Sequence, residues 1–287
     1  MINEKFARFG TSHQTSWDGR AAANFILGGA GSALLAITVL ASWPNTPNWP
    51  LLALALSLIG AGLASVWTEI GRPWRAFNVL FHPQTSWMTR EAFVAGLIAL
   101  LVVATIVTGM NLAAGAAALA GLLFLYCQGR ILRAAKGIPA WREFSIVRLI
   151  ISTGLVEGLA LLMLADLATG TAYANMPAAL LVLVVLRFGA WWIYRSRMLA
   201  SDAPRSTRAT LGLVHRALLG GTVLPALAVA LAIAVPAIAA PGTAVAALTA
   251  LAAGWWFKYL LITRAAQVQG YALGNKLRRG HPLANRA

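Results

Sequence analysis

The sequence has little charge and few of the residues that hold metals. Only 11% of its 287 residues are charged, eight are acidic, and Cys127 is the one cysteine. One thiol cannot form a disulfide within the chain, an iron–sulfur cluster or a structural zinc site. The hydrophobic content of 59% and the mean hydropathy of +0.72 exceed what a soluble domain of this length can bury. The composition therefore indicates a membrane protein.

Histidine is scarce where a haem protein would need it. The four histidines lie in or beside polar connections, and none falls in the middle of an apolar run. A transmembrane b-type cytochrome needs axial histidines inside the membrane, so haem binding is not expected. A Gly-rich phosphate loop and a metal-spaced Cys/His cluster are also missing. We predict no haem, iron–sulfur cluster or metal in this chain, so any redox centres would belong to partner subunits.

Apolar runs of roughly 20 residues are long enough to cross a bilayer core of about 30 Å. The chain has eight, and we predict an all-α bundle of eight transmembrane helices. The break at Met110 predicts a tight hairpin between the third and fourth. The domain limits follow as an N-terminal segment 1–20, a membrane domain 21–262 and a basic tail 263–287. The runs span about 21–43, 50–68, 91–109, 111–128, 145–166, 177–195, 211–236 and 243–262.

Positive charge is missing from every second connection. The connections 43–50, 109–112, 166–177 and 239–242 contain no Lys or Arg, and Asp166 is their only acid. The pattern assigns all 23 Lys and Arg residues to one side, although Arg187 falls within an apolar run. Cytoplasmic loops retain positive charge, so we expect both termini and the basic loops in the cytoplasm of a bacterial inner membrane. The formal charge of +15 favours contact with anionic lipid and a docked partner over nucleic acid, because it lies along membrane-proximal loops.

The densest polar segment, residues 67–91, joins the second and third predicted helices. Glu69 ends one helix and Glu91 opens the next, so both carboxylates lie on the same membrane face and are able to reach one site. Trp side chains suit that depth, and a pocket there would accept an aromatic head group whose isoprenoid tail lies in lipid. A structural alternative is open: the helix dipole favours Glu91, and Glu69 pairs with Arg72 or Arg75.

Two further charges fall within apolar runs. Glu157 is about halfway along the fifth predicted helix, and Arg187 is about halfway along the sixth. An isolated charge at that depth costs at least about 2.5–3.5 kcal/mol, so each needs a partner or a water-filled cavity. We predict that the two side chains pair, directly or through water. Both a structural ion pair and a part of a proton or quinone path are consistent with the pattern.

The polar segment carries a family resemblance. Residues 69–78 (EIGRPWRAFN) and 86–91 (SWMTRE) resemble the corresponding segment of the DMSO reductase membrane anchor family. The resemblance implies eight helices without haem that exchange electrons with ubiquinone or menaquinone. It also implies partners: a four-cluster, ferredoxin-like iron–sulfur subunit and a molybdopterin catalytic subunit. The run 258–273 looks like the tail of the membrane subunit of phenylacetyl-CoA:acceptor oxidoreductase, which implies acyl-CoA oxidation.

Residue roles follow from the resemblance. Glu91 matches the family carboxylate at the quinone site, and Glu69 stands where DMSO reductase anchors carry a histidine. That departure leaves the quinone type and the direction of electron flow open. On this hypothesis the two carboxylates supply or relay protons. The expected quinone-binding side chains around them are Arg72, Trp74, Arg75, His82, Trp87 and Arg90.

Other functions are consistent with parts of the sequence. One is a quinol-oxidising anchor of a DMSO reductase-like terminal reductase, and another is a purely structural anchor. A secondary transporter is less favoured, because transport needs polar residues through the full membrane thickness and the outer half has almost none. The predicted cytoplasmic position of the basic loops favours the acyl-CoA branch, since acyl-CoA substrates are cytoplasmic.

Overall fold

Long apolar helices account for nearly all of the structure. The computed structural model describes residues 11–69, 73–170, 175–201 and 203–268, without the side chains of residues 73, 75 and 76. Within these ranges the chain is all-α apart from one two-residue ladder, and eight helices are long and apolar enough to cross a membrane. They are α1 (Gly19–Ser42), α2 (Trp49–Glu69), α3 (Trp87–Thr108), α4 (Asn111–Ala134), α5 (Ile146–Thr169), α6 (Met176–Ala200), α7 (Arg205–Ala234) and α8 (Ala239–Thr263).

The predicted eight-helix architecture is confirmed, and short helical segments complete it. Residues Asn24–Gly28 of α1 are π-helical. The loop after α2 contains a 3-10 helix, Pro73–Phe81, and one α-helical turn, Pro139–Arg142, precedes α5. A second 3-10 segment, Pro236–Ile238, leads into α8. The loops are short elsewhere, so consecutive helices run in opposite directions.

Local signals explain most helix ends. Gly109 ends α3 with a φ of 67°, a left-handed conformation in which glycine carries no Cβ penalty, and Met110 caps α4. The predicted hairpin at this point is confirmed. Gly170 ends α5 in the same way, with a φ of 71°. Ser86 caps α3, because its hydroxyl oxygen accepts a hydrogen bond from the Thr89 amide.

Three predicted helix starts are wrong. Helix α8 begins at Ala239 and not at residue 243. Helix α7 begins at Arg205 and not near residue 211, so it is 30 residues long. Helix α3 begins at Trp87, one turn before the predicted start at residue 91. Glu91 therefore does not open the helix. It lies in the second turn, where the interaction with the helix dipole is weaker and the side chain faces the bundle.

Helices α1 and α5 form the centre of the bundle. They are the most buried of the eight, while the other helices keep one face outward. Glycines permit close contact at the centre: a Cβ on Gly158 of α5 would lie 2.5 Å from the Ala33 carbonyl carbon of α1. A Cβ on Gly121 of α4 would lie 2.6 Å from the Ser32 oxygen. Small residues at such crossings are typical of helix packing in membranes.

The two ends of the described chain meet on one face. Ser12–His13 pairs antiparallel with Gln267–Val268, directly after α8. The Gln14 amide side chain donates to the Ile262 carbonyl oxygen, which fastens the N-terminal segment to the end of α8. The N-terminal segment and the end of α8 therefore share one side of the bundle, as eight alternating helices require. Which compartment that side faces remains a prediction.

The assignment of all 23 cationic residues to one side is wrong at two positions. Arg187 in α6 and Lys258 in α8 have fully buried side chains inside the bundle. Neither lies in a connection. Buried charges of this kind need partners within the protein, and those partners are described with the site below.

Candidate functional site

An apolar cavity of about 560 Å³ lies between the ends of α1, α2 and α3 and the loop that joins α2 to α3. Its volume falls within the range of about 300–1,000 Å³ that is usual for small-molecule sites. Leu63 and Val66 of α2, Phe25 of α1 and Met88 of α3 contribute much of the apolar wall. Both predicted carboxylates, Glu69 and Glu91, line it.

Glu91 is the buried acid of the cavity. Its side chain is only 4% exposed, and its Oε1 makes no hydrogen bond among the described residues. The side-chain amides of Asn24 and Gln128 are the polar neighbours of the carboxylate. A carboxyl group positioned at the wall of a cavity is able to give a proton to a bound molecule or take one from it. The geometry therefore suits proton transfer at this position.

Glu69 stands at the opposite, wetter edge. It is partly exposed, and its Oε1 accepts a 3.4 Å hydrogen bond from the Asp18 amide. The Arg20 guanidinium pairs with Asp18 at 2.8 Å and donates to the Thr68 carbonyl oxygen. The hydrogen bond from the Arg20 side chain keeps the pKa of the Asp18 carboxyl below its ordinary value. Among the described side chains, Arg20 is the cation beside Glu69. The alternative pairing of Glu69 with Arg72 or Arg75 falls on side chains outside the described residues.

Trp87 and Arg90 were predicted to contact the quinone, but neither is among the residues that line the cavity. The Trp87 ring lies between two guanidinium groups, Arg90 at 4.2 Å and Arg130 at 4.1 Å, and meets Tyr126 edge-on. Arg90 also donates to the Pro83 and Gln84 carbonyl oxygens. These contacts fix the loop to the start of α3, and thereby position Glu91 one turn further on.

The remaining predicted quinone contacts lie outside the cavity lining or outside the described residues. Trp74 is 81% exposed and stacks on Phe77. His82 is exposed, and its carbonyl oxygen accepts the Ser86 amide. Arg72 lies outside the described residues. Arg75 belongs to the 3-10 helix Pro73–Phe81, and its side chain is not described.

Most of the cavity wall was not predicted, and three residues with polar or indole side chains at or beside it were also missed. Trp17 and Asn24 line the cavity, and Gln128 of α4 is fully buried beside it. Asn24 and Gln128 were detectable in principle, because a polar amide inside an apolar helix is uncommon and tends to be functional or paired. Trp17 precedes the first apolar run and gives no such signal.

The buried charges do not form the direct pair that was predicted, while a Glu157–Arg187 pair through water stays a prediction. The Glu157 carboxylate of α5 forms an ion pair with Lys258 of α8, with Oε2 and Nζ 2.5 Å apart. Arg187 instead donates to the carbonyl oxygens of Ala250, at 2.9 Å, and Gly221, at 2.6 Å. Among the described residues, no direct Glu157–Arg187 ion pair is present. Lys258 was not predicted as a partner, because all 23 Lys and Arg residues were assigned to the basic side.

The arrangement has the chemistry of a protonating site for an apolar ring compound. It combines indole rings, a largely hydrocarbon wall, one buried acid and one acid at the rim. Among the described residues, no group of three His, Cys, Asp or Glu side chains is placed to hold a metal ion. Comparison with known proteins adds no identification, since the chain matches no protein-family model and no curated protein significantly. The resemblance of residues 69–91 to the DMSO reductase membrane anchors thus remains a hypothesis.

Proposed function

We propose that this protein is the quinone-reactive membrane subunit of an oxidoreductase complex. The observation that carries the proposal is the apolar cavity at the helix ends, into which two carboxylates from consecutive helices project. Reduction of a quinone needs two protons at two ring oxygens, and the ring and its tail need apolar surroundings. A quinone site therefore needs acidic side chains that supply protons and an apolar wall that surrounds the ring.

The cavity fits a quinone head group in shape as well as in chemistry. The rings of Trp17 and Trp67 offer flat apolar surfaces on its wall. Trp67 and Phe77 are about half exposed at the rim, and a Cβ on Gly60 would meet nothing within 4 Å. This edge gives an isoprenoid tail a way out of the cavity between side chains that face the membrane.

The two acids take different roles in the proposal. Glu91 is buried and holds a proton against the ring, where it serves as the direct donor or acceptor. Glu69 is at the partly exposed edge, next to Asp18 and Arg20, where it exchanges protons with the aqueous side. Because the ends of α2 and α3 fall on the face that carries the basic connections, we propose that these protons are cytoplasmic.

Electrons must come from a partner in this proposal. We propose a ferredoxin-like iron–sulfur subunit docked on the basic face, followed by a molybdopterin catalytic subunit. The supporting features are the cationic connections and the resemblance of residues 69–91 to the DMSO reductase anchors. The resemblance of residues 258–273 to the phenylacetyl-CoA:acceptor oxidoreductase branch favours acyl-CoA oxidation with quinone reduction. The reverse direction, quinol oxidation for a terminal reductase, would use the same two acids.

Quenching of tryptophan fluorescence tests the central claim. The full chain in lipid nanodiscs is titrated with decylubiquinone, and we expect saturable quenching because Trp17 and Trp67 line the cavity. The double variant Trp17→Phe and Trp67→Phe should lose most of the saturable component. The matched control is Trp192→Phe, an exposed indole on α6, which should retain it.

Two results would count against the proposal. Quenching that rises linearly without saturation would indicate partition into lipid alone. Saturable quenching that is equal in the double variant and in the Trp192→Phe control would place any quinone site elsewhere in the bundle.

A further inference from the structure

Buried polar side chains continue from the cavity into the centre of the bundle. Asn24 and Gln128, beside Glu91, are at most 5% exposed. Beyond them lie Lys258 and Glu157, both with no exposed surface. These five residues come from α1, α3, α4, α5 and α8, so the packing of five helices brings them together. The quinone cavity alone does not account for the inner pair.

The π-helical segment of α1 is the backbone part of this polar chain. Residues Asn24–Gly28 are π-helical. The Asn24 carbonyl oxygen accepts the Gln128 amide Nε2 at 3.0 Å, and the Phe25 carbonyl oxygen accepts Lys258 Nζ at 2.8 Å. Two neighbouring carbonyl groups thus bind Gln128, which lies beside the cavity, and Lys258, which belongs to the ion pair. Such π segments inside helices are frequent at functional sites.

Gly29 lies where these two side chains approach each other. A Cβ on Gly29 would lie 2.6 Å from Lys258 Nζ and 2.9 Å from Gln128 Oε1. The ammonium group and the amide oxygen therefore both pack against this glycine, and any larger residue at position 29 would displace them. A Cβ on Gly28 would likewise lie 3.0 Å from Gln128 Nε2.

Several buried polar atoms between Glu91 and Arg187 make no hydrogen bond to the described residues of the protein, which indicates bound water. Buried polar atoms without a protein partner are ordinarily hydrated in proteins. In the described part of the chain, atoms of this kind concentrate along the route from Glu91 to Arg187: Asn24 Oδ1, Glu91 Oε1, Gln128 Oε1, Thr153 Oγ1, Glu157 Oε1 and Arg187 Nε. We therefore expect bound water between Gln128 and the ion pair.

The buried acidic and basic side chains form one set. The buried Asp, Glu, Lys and Arg residues among the described residues are Glu91, Glu157, Arg187 and Lys258. Arginine stays protonated in proteins, whereas lysine is able to give up its proton inside a protein. Lys258, with its three N–H donors, is thus the base of this set that is suited to transfer. Arg187, held by two carbonyl groups, supplies fixed positive charge.

We propose that the Lys258–Glu157 pair is an internal proton donor that recharges Glu91 through Gln128 and bound water. This proposal rests on the proposed quinone function. Two electrons from the partner reduce the quinone, and Glu91 gives its proton to the first ring oxygen. Lys258 passes a proton to the Glu91 carboxylate, which delivers it to the second oxygen. The Lys258 amine and the Glu91 carboxylate then recover two protons from the aqueous side.

Infrared difference spectroscopy of quinone reduction tests the proposal. The full chain in nanodiscs is loaded with decylubiquinone, and time-resolved difference spectra are recorded after the quinone is reduced, before the two protons are recovered from the aqueous side. Loss of the Lys258 proton changes the field on its carboxylate partner, so the wild-type spectrum should contain bands from Glu91 and Glu157. Each band should disappear in the corresponding Gln variant. Gly29→Ala, which keeps every titratable group, should lose the Glu157 band and retain the Glu91 band and the quinone affinity.

Gly96→Ala on α3 is the control, because a Cβ there meets nothing within 4 Å, and it should give the wild-type spectrum. The proposal is overturned if the wild-type protein binds quinone and only the Glu91 band responds, or if Gly29→Ala leaves the Glu157 band unchanged. Failure of the quinone function has a different signature: saturable tryptophan quenching would be missing from the wild-type protein itself.

Discussion

At the scale of single residues, the surroundings of the two cavity acids separate their roles. Glu91 is enclosed, with amide neighbours from two other helices, whereas Glu69 touches the segment that precedes α1. If the buried acid Glu91 is removed, no other buried acid among the described residues of the cavity is able to supply a proton to the ring. If Glu69 at the rim is removed, water is able to take its place. The two carboxylates should therefore respond differently to the same substitution.

Exchange of each acid for its amide measures that difference. In the purified complex, Glu91→Gln should lower quinone-linked turnover by about 100-fold or more, the usual contribution of a positioned acid. Glu69→Gln should lower it much less. Dye-linked activity of the partner subunits should survive in both. Glu143→Gln, an acid that pairs with Arg197 on the same side, is the control. Quinone turnover retained in Glu91→Gln would contradict the assignment.

Sequence reasoning found the acids of the site but not most of its walls. Glu69 and Glu91 were predictable because two helix ends joined by one loop must share a membrane face. The contacts of Trp74 and Trp87 were not predictable. Near the membrane interface an indole ring is able to face lipid, a cavity or a guanidinium group, and these orientations differ little in free energy. The partner of Glu157 was missed for a different reason. Lys258 is close to the end of α8, and a lysine at that depth is able to extend its ammonium group to the interface, so the sequence did not show that it turns into the bundle.

At the scale of elements, the packing of α1 on α5 holds the polar chain in register. Both helices lie at the centre of the bundle, and α1 carries the π segment while α5 carries Glu157. The eight helices followed from apolar length alone. The π segment did not, because no pattern of side chains marks one extra residue in a helical turn. Close contacts at glycines then determine how closely α1 and α5 approach each other.

Gly158 is the contact that most restricts this approach. In Gly158→Ala the new Cβ would lie 2.5 Å from the backbone of Ala33 and Leu34, where no flexible side chain can give way. We expect a loss of about 1–3 kcal/mol in unfolding free energy, as for other overpacked cores. Thermal unfolding in detergent measures it. Gly189→Ala on α6, with open space around its Cβ, should be at least as stable as wild type. Equal melting of both variants would contradict this account of the contact.

At the scale of the whole molecule, charge and cavity lie toward the same face. The cavity is formed by the ends of α2 and α3 next to loop residues 77–80, and residues Ser12–His13 and Gln267–Val268 pair on the same side in the short β ladder. The opposite connections contain no cationic residue in the sequence. In the proposed function, an electron donor docked on the basic face would therefore stand next to the cavity, and electrons would not have to cross the membrane.

In the proposed function, the orientation of the chain in the membrane decides which compartment supplies the protons and the partner's substrate. Accessibility labelling measures this orientation. Cys127, the single cysteine, is buried, and a Cys127→Ala background allows new single cysteines to be placed at will. Ser206→Cys tests the basic side and Ala240→Cys the opposite side; both positions are exposed. Because cytoplasmic loops retain Lys and Arg, a membrane-impermeant maleimide should label Ala240→Cys in intact cells. Ser206→Cys should react only after the membrane is permeabilised. The reverse pattern would place the basic face outside, which removes the argument for an acyl-CoA substrate and leaves the quinone cavity intact.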